Sequence, residues 1–555
     1  MARGTKRKQA PTAQSSSAAP AKQAKQDGQK AVSKDLNIPI DEGFNQFSTG
    51  ETKVYVDEDG LIYDVSLNQT NIGNNANKFY RLQLLDQDDG ERYFCHTRWG
   101  RVGEFGQRKI IGPSDFNTAL KEFNKKFKDK SGNKWEDRGE PPVKGKYTFI
   151  EKNYEDDEDD GQKGVKKEEE DDGEEKKATP STLPMATQRL MELIFNQNHF
   201  NSVLESIGYN QDKLPLGKLG KSTLKKGFEH LKEIASLLKH PSLAQNKYSV
   251  TQNEALEDLS NQYYSTIPHI FGRNRAPVIN NDDLLRKEVA MLDDLTDMEV
   301  ANAIMKSTDE KKKDAASVSL IDKRFAELGM NEMTPLDKKS NEYKELQSYL
   351  ISSTGKTHYV KYRLEEIFRI ERNGEYDRFE KSKYAKIGDK NRRLLWHGSR
   401  TTNFGGILSQ GLRIAPPEAP VNGYAFGKGV YMADMSSKSA NYCMSGMSGG
   451  TALLLLCEAE LGNPMYEIPS GNSMAEEECK KKKCIATLGV GRTVPLGWKD
   501  AECLNDNLKG VSIPDSKAET GDNKNTNLGY LQYNEYIVYD VSQIRLRYLL
   551  RVKMD

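Results

Sequence analysis

No apolar run in this 555-residue chain approaches the ~18 residues that crossing a bilayer requires, so no membrane partner is expected. The longest, around Leu453 to Leu456, has the length of a buried strand. The N-terminus has no apolar core of the secretory type. Cysteine is sparse: six are scattered along the chain. Only Cys479 and Cys484 lie close together, in a lysine-rich stretch with no histidine beside them. Reduced intracellular thiols are expected there, and no metal. Net charge is absent too, with 82 basic and 82 acidic side chains, so any clue to partners must come from how charge is distributed. The C-terminal third also lacks both common nucleotide loops. It has no Gly-x-Gly-x-x-Gly between a strand and a helix. Gly423-Tyr-Ala-Phe-Gly427-Lys428-Gly429 fails the phosphate-loop spacing and has no Ser or Thr after its Lys.

What is present is blocked into segments, which predicts a multidomain α+β protein. Residues 1–43 are rich in Ala, Gln, Ser, Lys and Pro and poor in large apolar side chains, which predicts a disordered basic tail. Lys6-Arg7-Lys8 within it fits a nuclear-import signal or a loose nucleic-acid arm. Residues 44–151 carry short alternating runs, such as Lys78 to Leu85. One amphipathic helix follows, with Phe116, Leu120, Phe123 and Phe127 on a single face. A small α+β module is expected. Residues 152–178 are dominated by acidic runs and predict an extended linker. Residues 179–306 read as an all-α bundle: Leu224, Phe228, Leu231, Ile234 and Leu238 share a face, and Pro241 ends that helix after His240. From residue 325 to 555 strands return, predicting a mixed α/β domain with mainly antiparallel sheets. In it, Ile544, Leu546, Tyr548, Leu550 and Val552 suggest one buried and one wet face.

Three blocks carry chemistry: Leu395-Trp396-His397-Gly398-Ser399-Arg400, the run Tyr424 to Cys443 containing Tyr431, and Tyr533-Asn534-Glu535-Tyr536. Taken singly, such a His, Tyr or Glu is more often structural than functional. Together, in this order, they resemble the signature of the poly(ADP-ribose) polymerases. The resemblance implies a fold of the ADP-ribosyltransferase type, with NAD+ as substrate and no metal. It makes His397, Tyr431 and Glu535 catalytic. Gly398 and Ser439 would hold the nicotinamide carboxamide, with Tyr442 and Tyr431 on either side of the ring. His397, Ser399, Gly406 and Arg413 would line the adenosine half, and Lys438 would stand near the acceptor. The carboxylate of Glu535 would contact the ribose 2′-hydroxyl and stabilise an oxocarbenium-like sugar, the logic of glycoside chemistry.

Arg98-Trp99-Gly100-Arg101-Val102-Gly103, with Asn77-Lys78-Phe79-Tyr80 upstream, resembles the WGR domain found in the same family. That implies binding of DNA strand breaks, 5′-phosphorylated nicks or ends. Arg101 would fork onto phosphate, Lys78 would add charge, Trp99 would lie on an exposed terminal sugar or base, and Asn77 would bond the backbone. The helical segment resembles the family's regulatory domain, in which Asp293 and Asp297 would face the NAD+ pocket. The expected activity is that of a nuclear, DNA-break-activated polymerase that modifies itself and chromatin proteins in DNA repair. A protein partner would complete the active site for serine acceptors. The alternatives are a mono(ADP-ribosyl)transferase of the same architecture, a DNA-end-binding scaffold with a vestigial transferase, and an NAD+ glycohydrolase.

Overall fold

The computed structural model describes residues 29, 38–45, 51–88, 90–154, 180–211, 214–310, 318–525 and 529–554. Apart from Gln29, the tail before residue 38 lies outside the described residues, as does the acidic segment after Tyr154.

The first unit is an antiparallel sheet of six strands: β1 (Thr52–Val54), β2 (Asp64–Asn71), β3 (Ala76–Gln87), β4 (Arg92–Arg101), β5 (Gln107–Ser114) and β6 (Thr148–Ile150). Their order is β5-β4-β3-β2-β6, with β1 also on β3. Helix α1 (Phe116–Ser131) starts where Asp115 accepts from the Thr118 amide, and ends at Gly132 with φ 85°. Phe123 and Phe127 of α1 pack on Val65, Leu67, Tyr80, Leu82 and Leu84. The unit begins earlier than residue 44 and ends later than 151. Ile38 and Phe44 share a core cluster with Val54 and Tyr154, and Lys152 is buried on Asp64. Isolated large apolar residues in a polar stretch, completing a core built elsewhere, leave no periodic trace.

The second unit contains helices α2 (Met185–Ile194), α3 (Gln197–Ser206), α4 (Lys221–Lys239), α5 (Gln252–Thr266) and α6 (Asp282–Glu310). Helix α4 closes at His240, directly before Pro241. Val289, Leu292, Leu295 and Met298 make the buried stripe of α6. The unit continues past residue 306, since α6 runs to Glu310 and α7 (Leu320–Glu327) docks on α2 and α6.

The third unit holds β7 (Met330–Pro335), β8 (Tyr362–Arg372), β9 (Arg392–Ser399), β10 (Val430–Met432), β11 (Thr451–Glu460), β12 (Tyr466–Ile468) and β13 (Ala486–Gly489). It continues with β14 (Thr493–Pro495), β15 (Trp498–Asp500), β16 (Val511–Pro514), β17 (Thr520–Asp522), β18 (Glu535–Val538) and β19 (Ile544–Met554). A seven-stranded sheet runs β15-β16-β9-β11-β19-β8-β7 and a four-stranded one β10-β18-β13-β12, while β14 pairs with β17. Pairing is antiparallel except for β16 with β9 and β12 with β13. Every residue of β11 is buried, because a core cluster covers each face of the central sheet. The wet face expected for β19 is therefore not wet. A register shift beside Leu456 and Cys457 sends Ile544 and Leu546 into one cluster and Tyr548, Leu550 and Val552 into the other. Its arginines are held by carboxylates, Arg545 by Glu458 and Arg551 by Glu365 and Glu366.

Candidate active site

A pair of backbone hydrogen bonds joins the two large sheets of the third unit. Trp396 N donates to Ala433 O at 2.7 Å, and Ala433 N to Trp396 O at 2.9 Å. This staple sets His397 at the end of β9 beside Tyr431 on β10. Strand β10 pairs in turn with β18, placing Tyr431 opposite Ile537 and Met432 opposite Tyr536. Three blocks far apart in sequence thus meet.

His397 Nδ1 stands 2.9 Å from the Tyr431 carbonyl oxygen. A carbonyl only accepts, so Nδ1 carries the proton and the neutral ring offers Nε2 as an acceptor. Burial pushes the imidazole pKa down, against the opposing pull of that carbonyl, so the neutral form prevails at pH 7. The Tyr431 hydroxyl donates to Gly427 O at 2.7 Å and accepts from Phe426 N at 2.8 Å. Burial raises its phenol, and the nearby Glu535 adds to the rise. Gly398 has no alternative: a Cβ there would lie 2.1 Å from Ser439 O. Ser439 donates to Trp396 O at 2.9 Å, leaving its oxygen lone pairs to accept from an amide. The Tyr442 ring is 60% exposed, a free face on which a flat ring can lie. Lys438 Nζ bonds the Tyr533 and Asn534 carbonyls at 3.0 and 3.2 Å and lies 3.4 Å from Glu535 Oε2. His397 and Tyr431, Gly398 and Ser439, and Lys438 and Glu535 are thus direct neighbours near the junction of β9, β10 and β18.

Helix α6 lies against the segment that follows Ser399 and carries Gly406. Arg413 is paired with Asp297, and a Cβ on Gly406 would come within 2.9 Å of Asp297 O. Tyr424 donates to Asp293 at 2.8 Å. Asp294 takes Arg400 and, at 2.9 Å, the Asn403 amide, while the same Asn403 amide donates to Ser399 Oγ at 2.9 Å. Three acids on one helix thus engage Arg413, Tyr424, Arg400 and Asn403 of the third unit. Burial pushes the Asp293 carboxyl up to about 7 and raises Asp297 against the opposing pull of Arg413.

Residues 340–554 match the poly(ADP-ribose) polymerase catalytic domain, residues 181–325 the poly(ADP-ribose) polymerase regulatory domain, and residues 63–142 the WGR domain. The chain is 40% identical over 507 residues to poly [ADP-ribose] polymerase 2-A of Oryza sativa subsp. japonica, covering 89% of this chain and 70% of that one. It is 40% identical over 500 residues to poly [ADP-ribose] polymerase 2 of Arabidopsis thaliana, covering 89% and 73%. With poly [ADP-ribose] polymerase 2 of Homo sapiens it shares 36% over 509 residues, covering 91% and 82%. The chain belongs to the poly(ADP-ribose) polymerase family. Its catalytic domain is an NAD+ ADP-ribosyltransferase, the first unit is a WGR domain, and the helical unit is the regulatory domain.

The four residues expected to meet DNA part company in the structure. Lys78 is exposed, and Trp99 is partly buried with its ring stacked at 6.0 Å on Tyr80. Asn77 is buried instead: its amide donates to His269 O of the regulatory domain at 2.9 Å. Arg101 donates to Gly272 O at 2.6 Å and to Asn75 O at 2.9 Å. In this arrangement both side chains are spent on the domain boundary. A sequence reading of the WGR unit alone could not see the loop that takes them.

Two groups escaped the sequence reading. Asp294 adjoins Asp293 in a helix, and the acid triplet at 293, 294 and 297 was its signal. Asp434 lies in the Met432-Ala433-Asp434 block and is fully buried. It accepts from Asn534 Nδ2 at 2.8 Å and Tyr536 OH at 2.9 Å, the two neighbours of Glu535. Among the described residues no group of His, Cys, Asp and Glu is arranged to hold a metal, and no helix is long and apolar enough to cross a membrane.

Proposed function

We propose that this chain is a nuclear, DNA-strand-break-activated poly(ADP-ribose) polymerase acting on itself and on chromatin proteins in DNA repair. NAD+ would enter the cleft with its carboxamide on the Gly398 backbone and the Ser439 hydroxyl. The nicotinamide ring would lie between Tyr442 and Tyr431. His397 Nε2 would accept from the adenosine-side ribose, with Ser399, Gly406 and Arg413 along that half. The C1′–N bond breaks with its electron pair leaving on nicotinamide, which departs neutral. Glu535 would stabilise the cationic sugar through the 2′-hydroxyl and orient the acceptor hydroxyl, whose proton passes to the carboxylate or to water. Lys438, against Glu535 and two backbone carbonyls, would steady the acceptor side. A protein partner would complete the site for serine acceptors.

The observation that carries the reading is the engagement of Arg413, Arg400 and Tyr424 by α6 over the same cleft that gathers His397, Tyr431 and Glu535. A transferase whose substrate cleft is held by a removable helix needs an activator, and the WGR domain, through Lys78 and Trp99, is the natural place for broken 5′-phosphorylated DNA to act. The test is incorporation of labelled NAD+ into protein with and without 5′-phosphorylated nicked DNA, for wild type and Glu535→Gln. A DNA-dependent high-mass smear lost in the variant is expected. A sharp band in wild type would establish single-unit transfer instead. Label independent of DNA would remove the activation step.

A further inference from the structure

Asn534 and Tyr536, the two neighbours of Glu535, both turn to Asp434, and the bonds do not stop there. The Tyr536 hydroxyl has one proton and gives it to Asp434 at 2.9 Å. Only lone pairs are left on that oxygen, and Arg393 Nη1 donates to them at 3.0 Å. Asn534 Nδ2 lies 3.3 Å from the same hydroxyl, besides its 2.8 Å bond to Asp434. Asp434, Asn534 and Tyr536 are all buried. Their bonds are therefore shielded from water, and the direction of each is set by which partner can donate.

Arg393 stands on β9, the strand that ends at His397 and Ser399. Its Nε donates to Asn391 Oδ1 at 3.1 Å, so the edge of the guanidinium is shared between Asn391 and Tyr536. Its flat faces meet rings. The guanidinium carbon is 4.3 Å from the Trp498 ring centroid and 5.5 Å from that of Tyr536, within the ~6 Å over which a ring face attracts a cation. Trp498 opens β15, the end strand of the seven-stranded sheet. Strand β15 pairs with β16, and β16 pairs with β9, where Ser512 is opposite Arg393. The indole thus reaches across a whole strand to the arginine. It also packs on the core cluster that contains Tyr536.

We propose that Trp498 and Arg393 are positioning residues for the transfer reaction. The Trp498 ring pins the guanidinium, Arg393 fixes the Tyr536 hydroxyl, and Tyr536 with Asn534 fixes the backbone from which Glu535 points. The proposal rests on the catalytic role given to Glu535 above and carries it out to the edge of the sheet. A planar guanidinium suits this post because it bonds along its edge and stacks on its face at once.

The test is a double-mutant cycle on the full chain with nicked DNA present, reading nicotinamide release as kcat and KM. Trp498→Ala is expected to lower kcat about tenfold, part of the ~10²-fold that a misplaced reacting group costs, with KM for NAD+ unchanged. Trp498→Phe keeps a ring face and should restore most of the rate. Arg393→Lys should lose as much as Trp498→Ala, because an ammonium is not a planar fork. In a Glu535→Gln background the Trp498→Ala loss should vanish, since no carboxylate is left to misplace. A merely structural role would carry the same loss into both backgrounds. That result would overturn the proposal, as would an unchanged kcat in Trp498→Ala, and either would leave the role of Glu535 standing. An unchanged kcat in Glu535→Gln alone would remove the catalytic reading and this proposal with it. Where Trp498→Ala fails to fold, Arg393→Lys in the same cycle decides.

Discussion

Asp434 and Tyr536 are joined by a hydrogen bond of 2.9 Å beneath the strand that carries Glu535. The same Asp434 oxygen accepts from Asn534 at 2.8 Å, and Arg393 donates to the Tyr536 hydroxyl at 3.0 Å. Alternate residues of a strand face opposite ways, so fixing Asn534 and Tyr536 from below fixes where Glu535 points above. Asp434→Ala is expected to lower kcat by about 10²-fold, the scale of a misplaced reacting group, with KM little changed. Asp434→Asn should recover most of it, because one amide oxygen can accept both bonds. Steady-state kinetics on the two variants checks this. An equal loss in both would mean that the Asp434 charge, not its geometry, matters.

The pair Asp294 with Arg400 ties α6 to the catalytic domain, and the same carboxylate holds Asn403. Removing it should tilt the balance toward the released helix. Asp294→Ala is expected to raise DNA-free activity about tenfold, within the ~1–3 kcal/mol typical of coupling between sites, and to leave DNA-saturated activity near wild type. The ratio of the two rates is the readout. An unchanged ratio would show that Asp294 does not restrain the helix.

The family was legible because its signature falls in dense local blocks whose spacing survives without any structure. His397 and Tyr431 lie on neighbouring strands, with Glu535 on the strand beyond, and that arrangement depends on the Trp396–Ala433 staple, which no periodicity announces. Legibility fails where a contact is made between domains. Asn77 and Arg101 carry polar groups suited equally to DNA and to a protein carbonyl, and their bonds to the His269 to Asn274 loop leave no trace in the sequence around them. Strand β19 misled for a related reason: a single register shift reassigns which side chains face which core.

Docking of α6 is expected to weaken as pH rises. Burial holds the Asp293 proton to about pH 7, with the Tyr424 bond, Arg413 and Lys428 opposing, whereas a freed Asp titrates near 3.9. Between those values the docked state binds the extra proton, so rising pH favours release and the effect levels off above 7. Asp297 shifts in the same direction. The ratio of DNA-free to DNA-saturated activity should therefore climb from pH 6 to 8 in wild type and be flatter in Asp293→Asn. Taking the ratio cancels the pH dependence of the chemistry itself. A ratio that falls with pH would contradict the assignment.

Lys78 and Arg101 face each other across β3 and β4, yet the structure gives them different work. Lys78 is exposed, while the Arg101 guanidinium is spent on Gly272, Asn274 and Asn75. Lys78→Ala should weaken binding to nicked DNA irrespective of sequence. It should also lower the slope of log K against log salt by about one, as loss of a single phosphate contact does, with DNA-free activity unchanged. Arg101→Ala should act differently: losing its bonds to the regulatory loop loosens that domain, so DNA-free activity should rise with the salt slope intact. Fluorescence anisotropy at several salt concentrations, alongside basal turnover, separates the two. A slope reduced equally in both variants would place Arg101 on the phosphate backbone and make its contact with the regulatory loop the state that DNA displaces.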